Sequence, residues 1–116
     1  MATVRITNLR LRAIIGANDW ERNIKQDVVI NVSFDYNSAK AQKSDQLKDA
    51  VDYKTMTKKI IQAVEKSDYQ LIEKLAEVVL NIILESKPVK SATVRIDKPQ
   101  ALRFSDSVSV ELSRKK

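Results

Sequence analysis

The sequence contains neither cysteine nor histidine, and it has a single glycine in 116 residues. Without cysteine there is no disulfide, no thiolate nucleophile and no cysteine-based metal site. Without histidine there is no Ser-His-Asp triad and no imidazole base or metal ligand. A lone glycine excludes a dinucleotide-binding fingerprint and a P-loop. Acid–base chemistry in this chain would therefore depend on Asp, Glu, Lys, Tyr or water.

Long apolar runs are also absent. No stretch approaches the roughly 18 apolar residues that a membrane-spanning helix needs. The N-terminal segment MATVRITNLRLR alternates charged and apolar residues, and it lacks the continuous apolar run of a signal peptide. We therefore expect a soluble cytoplasmic protein with no membrane partner, built as a single domain over residues 1–116.

The balance of charge is positive, with 21 lysine and arginine residues against 15 aspartate and glutamate residues and a net charge of +6. Such a charge makes nucleic acid a candidate partner. The basic residues are, however, spread along the whole chain and alternate with acidic ones, and the few aromatic residues form no RNA-binding strand signature. We therefore do not expect nucleic acid to be the ligand.

The first strand of the predicted fold contains an irregularity. Residues 2–15 alternate between apolar and polar side chains, but the apolar positions change parity between Ile6 and Leu9. A strand that buries one face cannot change parity without an extra residue. The pattern therefore predicts a β-bulge near Thr7 and Asn8.

Alternation and helical periodicity divide the rest of the chain into three further strands and two helices. The polar segments 16–25 and 37–52 are predicted to be loops, the second with at most one helical turn. The predicted elements are a strand over 28–36, a helix with Asp52 as its N-cap, a second helix that begins with a Ser67–Gln70 capping box and ends before Pro88, and strands over 92–97 and 108–113.

The order strand, strand, helix, helix, strand, strand favours an α+β fold with an antiparallel sheet. Two helices can cover one face of such a sheet. The opposite face carries polar residues such as Asn31, Thr93 and Arg95, and an open four-stranded sheet has two unpaired edges. Both features predict self-association through the sheet edges, with the polar face lining a closed interior.

Four polar residues are candidates for chemistry, although each has an ordinary structural explanation. Glu21 lies in a loop beside the only tryptophan, and Tyr53 begins the first helix. Glu73 lies in the first turn of the second helix, where the helix dipole favours an acid. Lys98 ends a strand. Each residue has a commoner interpretation, which is, in the same order, a solvated loop acid, a tyrosine that anchors a helix, a glutamate stabilised by the helix dipole, and a surface lysine. None of these residues therefore identifies a function alone.

The order of four longer segments resembles a known family. The segments are LRLRAIIGANDWERNIKQDVVINV, AVDYKTMTKKIIQAVE, LIEKLAEVVLNII and TVRIDKPQALRFSDSVSVEL. Together they are similar to the dihydroneopterin aldolase family, which includes 2′-epimerases of dihydroneopterin triphosphate. The start RITNLRLRAIIG and the ending IDKPQALRFSDSVSVEL favour the epimerases, whereas the DWE of the first loop is common in bacterial aldolases. The longer C-terminal match makes the epimerase the preferred interpretation.

The resemblance implies a particular fold and assembly. In the tunnelling fold of this family, a four-stranded antiparallel sheet carries two helices on one face. The subunits close their sheets into a barrel. The implied assemblies are a homotetramer and a homo-octamer of two stacked rings, with active sites between neighbouring subunits.

The resemblance also implies a chemistry and a set of residues. The implied substrates are dihydropterins, whose C1′–C2′ bond breaks by a retro-aldol step. The fragment then either re-adds at C2′ on its other face or leaves as glycolaldehyde. The pterin ring accepts the electrons, so neither a metal nor a cofactor is expected. Matched position by position, the implied residues are Lys98, Glu21 and Tyr53 for catalysis, with Tyr53 coming from a neighbouring subunit, and Glu73, Tyr53, Leu71 and Ile72 for substrate binding.

Two alternatives from other classes of protein stand beside the pterin enzyme. One is a nucleic-acid binder that uses the positive charge. The other is a structural or regulatory ring that assembles without catalysis, and the presence of all four matched polar residues argues against it. For an enzyme with a triphosphate substrate, Arg103 and the scattered lysines are candidates for contacts with the tail.

Overall fold

The computed structural model describes residues 1–116 and contains a four-stranded antiparallel sheet with helices on one face. The two long helices and the strand order β1-β2-β3-β4 confirm the predicted α+β architecture. A short helix in the second polar segment exceeds the single turn expected there. The strands are β1 (Ala2–Ala13), β2 (Gln26–Tyr36), β3 (Val89–Lys98) and β4 (Val108–Lys115), and the helices are α1 (Ala39–Ser44), α2 (Tyr53–Glu65) and α3 (Ile72–Leu84).

The predicted bulge in β1 is confirmed. The register between β1 and β2 shifts between Ile6 and Leu9, and Asn8 has a φ of 54°. Asparagine tolerates this left-handed conformation better than most residues. The backbone N–H of Asn8 donates to Oδ1 of Asn31 at 2.9 Å, and the Asn31 amide donates to Oδ1 of Asn8 at 3.2 Å. The extra residue allows both Ile6 and Leu9 to pack against the core.

The hydrophobic core lies between the sheet and the two long helices. Along β2, buried residues alternate with half-buried ones from Val28 to Tyr36, as a strand with one covered face requires. Each buried aliphatic side chain contributes roughly 1.5–3 kcal/mol to stability. The helices contribute buried residues at helical spacing: Met56, Ile60 and Val64 from α2, and Leu75, Ala76, Val79, Leu80 and Ile83 from α3.

The ends of the helices test two sequence predictions. Asp52 caps α2 as expected, since its carboxylate accepts hydrogen bonds from the backbone N–H groups of Lys54 and Thr55 at 3.1 Å. The prediction of a Ser67–Gln70 capping box is wrong, because α3 begins at Ile72 and has no hydrogen bond from a capping side chain. The Ser67 hydroxyl instead donates to the carbonyl of Val64 at 2.6 Å and satisfies the end of α2.

The sheet face opposite the helices is open and polar, as predicted. A shallow cavity of about 600 Å³ lies on this face. Arg95 forms a forked ion pair there with Asp97, at 2.9 and 3.2 Å. Within the chain, β1 and β4 each have one hydrogen-bonded neighbour, so both sheet edges are unpaired. None of the helices has the length and hydrophobicity that crossing a lipid bilayer requires.

Candidate active site

A buried ion pair lies at one end of the sheet. Lys98 is the last residue of β3, and Glu21 lies in a 3₁₀ helix, Asp19–Asn23, between β1 and β2. The two residues are only 7% and 4% exposed. The Lys98 ammonium donates a hydrogen bond to Oε2 of Glu21. The commoner interpretation of these residues as a solvated loop acid and a surface lysine is therefore wrong.

The Glu21 carboxylate is surrounded by hydrogen-bond donors. Oε1 accepts from the backbone N–H of Asn18 at 3.2 Å and from its side-chain amide at 2.9 Å. Oε2 accepts from Lys98 and, at 3.0 Å, from the Gln26 amide. Burial raises the pKa of this carboxyl, but the hydrogen bonds from Lys98, Gln26 and Asn18 outweigh burial and lower the pKa to about 2. Glu21 is therefore ionised at neutral pH.

The only glycine of the chain makes room for this carboxylate. Gly16 has a φ of +134°, a conformation that side-chain-bearing residues rarely adopt. A Cβ atom at this position would lie 2.2–2.3 Å from the carboxyl carbon and oxygens of Glu21. Both the backbone and the space therefore require glycine. Gly16 is not among the residues predicted for the site, although its position in the loop before Glu21 is a usable signal.

Arg22 ties the Glu21 loop to the segment before α3. Its guanidinium donates to the carbonyl of Gly16 at 2.8 Å, to that of Tyr69 at 3.3 Å and to that of Asp68. The backbone N–H of Gly16 also donates to the Tyr69 carbonyl, at 3.2 Å. Because α3 begins three residues after Tyr69, these bonds fix the buried pair relative to the first turn of α3. Arg22 is not among the residues predicted for the site, and neither are Asn18 and Gln26.

The remaining residues of the predicted site lie at the surface. Tyr53, at the start of α2, has an exposed side chain and is not part of the core. Leu71 and Glu73 flank the start of α3 and are exposed, and Ile72 is half-buried. Within one chain, the hydrogen bonds and ion pairs of Glu21 and Lys98 include none of these four residues. The fold thus joins Glu21 to Lys98, packs Ile72 partly against the core, and leaves Tyr53, Leu71 and Glu73 exposed to a ligand or a second subunit.

The low pKa of Glu21 makes the stability of the fold sensitive to acid. The folded value of about 2 lies below the ordinary value of 4.5. The ionised carboxylate therefore makes its full contribution to stability when the pH is above the ordinary pKa of 4.5. This contribution is lost as the pH falls from 4.5 toward the folded pKa of about 2. We expect the free energy of unfolding in urea to be lower at about pH 3.5 than at about pH 7. The drop should be smaller in Glu21→Gln, and an equal drop in both proteins would contradict the assignment.

Comparison with known proteins identifies the class of protein. The family model described as dihydroneopterin aldolase matches residues 4–113. The chain belongs to the dihydroneopterin aldolase family, and it is therefore related to enzymes that act on dihydropterins.

Within this family, the chain is more similar in sequence to two epimerases than to an aldolase. The dihydroneopterin triphosphate 2′-epimerase of Escherichia coli K12 is 50% identical over 112 residues, which cover 97% of this chain and 93% of that protein. The epimerase of Pseudomonas aeruginosa is 41% identical over 113 residues, covering 97% and 92%. The dihydroneopterin aldolase of E. coli K12 is 29% identical over 114 residues, covering 98% and 93%. These identities confirm the resemblance to the family and to its epimerases.

Solved structures of the family share the fold. A Vibrio cholerae protein assigned as a dihydroneopterin aldolase superposes with a TM-score of 0.95 at 31% identity, over 100% of this chain and 98% of that one. The E. coli dihydroneopterin aldolase in complex with neopterin superposes with a TM-score of 0.93 at 29% identity, over 98% and 99%. The single-chain part of the tunnelling fold is thus confirmed.

Proposed function

We propose that this chain catalyses the 2′-epimerisation of 7,8-dihydroneopterin triphosphate to the monapterin form by retro-aldol chemistry. The observation that carries the proposal is the buried Glu21–Lys98 pair in a chain whose identity to epimerases, at 50% and 41%, exceeds its 29% identity to an aldolase. The alternative is a dihydroneopterin aldolase that releases 6-hydroxymethyl-7,8-dihydropterin and glycolaldehyde in folate biosynthesis.

The reaction begins with removal of a proton from the 2′-hydroxyl. Lys98 acts here as the unprotonated amine: it takes this proton through an ordered water and becomes the ammonium that pairs with Glu21. Glu21 remains ionised at neutral pH because its pKa is about 2, so it orients Lys98 and does not itself supply a proton. The C1′–C2′ bond breaks as the 2′-oxygen becomes a carbonyl, and the bonding electrons move into the C=N of the dihydropterin ring. The products of this step are an enamine and an aldehyde.

The fate of the aldehyde decides between the two activities. In epimerisation the aldehyde turns, the enamine carbon attacks its other face, and the new 2′-oxyanion takes up a proton. In the aldolase reaction the aldehyde leaves and the enamine is protonated at C1′. Tyr53 of a neighbouring subunit lies near the ring and assists proton transfer to or from the intermediate. Leu71, Ile72 and Glu73 hold the pterin.

The direct test is anaerobic incubation of the protein with dihydroneopterin triphosphate and, separately, with dihydroneopterin. Products are oxidised and resolved by chromatography that separates the two 2′-epimers. We expect mainly the 2′-epimer from the triphosphate. Predominant release of 6-hydroxymethyl pterin and glycolaldehyde from the unphosphorylated substrate would establish the aldolase instead. Pterin binding without turnover of either substrate would indicate a non-catalytic ring.

Glu73 is proposed to anchor the pterin through its 2-amino and N3 hydrogens. A carboxylate that accepts two such bonds contributes about 1.5–4 kcal/mol, so Glu73→Gln should raise the dissociation constant of a pterin by roughly ten- to a thousandfold. Equilibrium titration measures this directly. Glu85→Gln is the matched control, because Glu85 is an exposed acid at the other end of the same helix. Equal pterin affinity in both variants would remove Glu73 from the anchoring role.

Self-association is proposed to complete the site. The unpaired edges of β1 and β4, the polar open face and the exposed Tyr53 support a ring of four subunits, alone or stacked as an octamer. Light scattering after size exclusion measures the mass. Subunit exchange between Lys98→Ala and Tyr53→Phe should restore activity, because mixed rings contain interfaces with both native residues. Activity that stays at the level of the separate variants would contradict a shared site.

A further inference from the structure

A small cavity of about 250 Å³ lies beside the Glu21–Lys98 pair and takes no part in the mechanism above. One of its walls is Gln26, whose amide donates to Oε2 of Glu21 at 3.0 Å and to the carbonyl of Ile15 at 2.8 Å. Another wall is Gln100, which follows Lys98 by two residues. The cavity is therefore next to the atoms that carry out proton transfer.

Two cations and one carboxylate line this cavity. The guanidinium of Arg12 donates to the backbone carbonyl of Lys25 at 3.0 Å, which orients it. Its Nε lies 3.4 Å from Oδ1 of Asp27, but both side chains are largely exposed, so this ion pair is weak. The Lys25 ammonium has neither an ion pair nor a hydrogen bond in the chain. The cavity thus has a net positive charge and one unpaired cation.

The only tryptophan of the chain forms a further wall. Trp20 is 58% exposed although it is a large apolar residue, and its indole N–H has no hydrogen-bond partner in the chain. An indole N–H is a donor only, as are guanidinium and ammonium groups. Arg12, Lys25 and Trp20 therefore supply only donors to the cavity, and the donors of Lys25 and Trp20 have no acceptor within the chain. Phosphate oxygens, which are acceptors with negative charge, are the chemical group that matches them.

We propose that this cavity binds the phosphate groups of the substrate tail through Arg12, Lys25 and Trp20. The inference rests on the proposed function, because it assigns the place of the tail in a triphosphate substrate. A tail held here stays attached to the aldehyde after the C1′–C2′ bond breaks. The aldehyde is then retained beside the enamine and can re-add before it leaves. The cavity accordingly favours epimerisation over cleavage.

Arg103, the candidate for tail contacts in the sequence analysis, does not line this cavity. It lies in the exposed loop between β3 and β4, where its guanidinium is 5.3 Å from the centre of the Phe104 ring. We therefore assign the tail to Arg12 and Lys25 rather than to Arg103.

The test compares phosphorylated and unphosphorylated substrates in three charge-removing variants. These are Arg12→Gln, Lys25→Gln and the control Lys48→Gln, whose native lysine is an exposed cation distant from the cavity in sequence. Loss of one charge-assisted contact should raise KM for dihydroneopterin triphosphate about tenfold or more in the first two variants. KM for dihydroneopterin should stay unchanged in all three. Arg12→Gln also removes the hydrogen bond from Arg12 to the carbonyl of Lys25 and can therefore disturb the segment around Lys25. Lys25→Gln keeps the test valid in that case, because the Lys25 side chain forms no ion pair within the chain.

Trp20 provides a second measurement that does not depend on turnover. Inorganic tripolyphosphate should change the fluorescence of the single tryptophan in the wild-type protein. The Arg12→Gln and Lys25→Gln variants should need about tenfold more tripolyphosphate for the same change. In the wild-type protein, the tripolyphosphate concentration that produces a given change in Trp20 fluorescence should rise with the salt concentration, because salt screens exposed charges.

Several results would overturn the tail-binding assignment. An equal rise in KM for both substrates would mean that Arg12 and Lys25 act through the Glu21 loop. An equal effect of Lys48→Gln would mean that only net charge matters. If the wild-type protein turns over no triphosphate substrate, the proposed epimerase function fails, and the tripolyphosphate titration then judges the cavity separately. Tripolyphosphate binding that is unchanged in the two variants would exclude the cavity as a phosphate site.

Discussion

Replacement of Gly16 by alanine should abolish most of the activity and destabilise the fold. The φ of +134° costs a non-glycine residue about 1–3 kcal/mol. The new Cβ would also lie 2.2–2.3 Å from the Glu21 carboxyl group. The carboxylate must then leave its donors, and the break-up of a buried pair costs about 3–5 kcal/mol. We expect turnover to fall by about 100-fold or more, since proton transfer by a positioned group contributes at least that factor.

A double variant separates the two causes of this effect. Glu21→Ala removes the carboxylate that the new Cβ would strike, so Gly16→Ala in that background should add only the cost of the backbone conformation. The free energies of unfolding in urea of the single and double variants would then be non-additive. Full additivity, or native activity in Gly16→Ala alone, would show that the close approach to Glu21 is unimportant.

Replacement of Lys98 by alanine is the second large effect that we expect. Turnover should fall by roughly 100- to 10,000-fold, because general acid–base catalysis contributes about this factor. The dissociation constant of a pterin should change little, since Lys98 is proposed to act on the side chain of the substrate. Single-turnover kinetics and equilibrium titration measure the two quantities separately. Native turnover in this variant would exclude Lys98 as the proton-transferring residue.

The same substitution also affects stability, which a matched control can separate from catalysis. Lys98→Ala leaves Glu21 buried without its cation, which should cost about 3–5 kcal/mol and raise the pKa of Glu21. Combining Lys98→Ala with Glu21→Gln removes the unpaired charge. We expect the double variant to regain much of the stability and none of the activity. Recovery of activity together with stability would mean that Lys98 is only structural.

Much of the fold follows from local patterns in the sequence. Alternation from Val28 to Tyr36 predicts a strand with one buried face because successive side chains of a strand point to opposite faces. The parity change after Ile6 predicts the bulge for the same reason. The Asp52 cap depends on residues within one helical turn. These features need only near neighbours, so they are visible in the order of residues.

The Ser67–Gln70 prediction shows where local patterns are insufficient. A serine three residues before a glutamine is typical of the start of a helix, but the same hydroxyl can satisfy a free carbonyl at the end of the preceding helix. Both interpretations are consistent with the sequence around Ser67. The choice depends on how the segment between α2 and α3 packs, which no local pattern records.

The sequence by itself determined the order of the elements, the polar open face of the sheet and, through four ordered segments, the family. It also identified Glu21 and Lys98 as candidates, but not that they meet. Only the tertiary structure decided that these two residues, 77 positions apart, form a buried pair, that Gly16 leaves space for it, and that Arg22 ties its loop to residues before α3. The physical reason is that burial, pKa and close approach depend on atoms brought together from distant parts of the chain, whereas propensity and periodicity depend on neighbours in sequence.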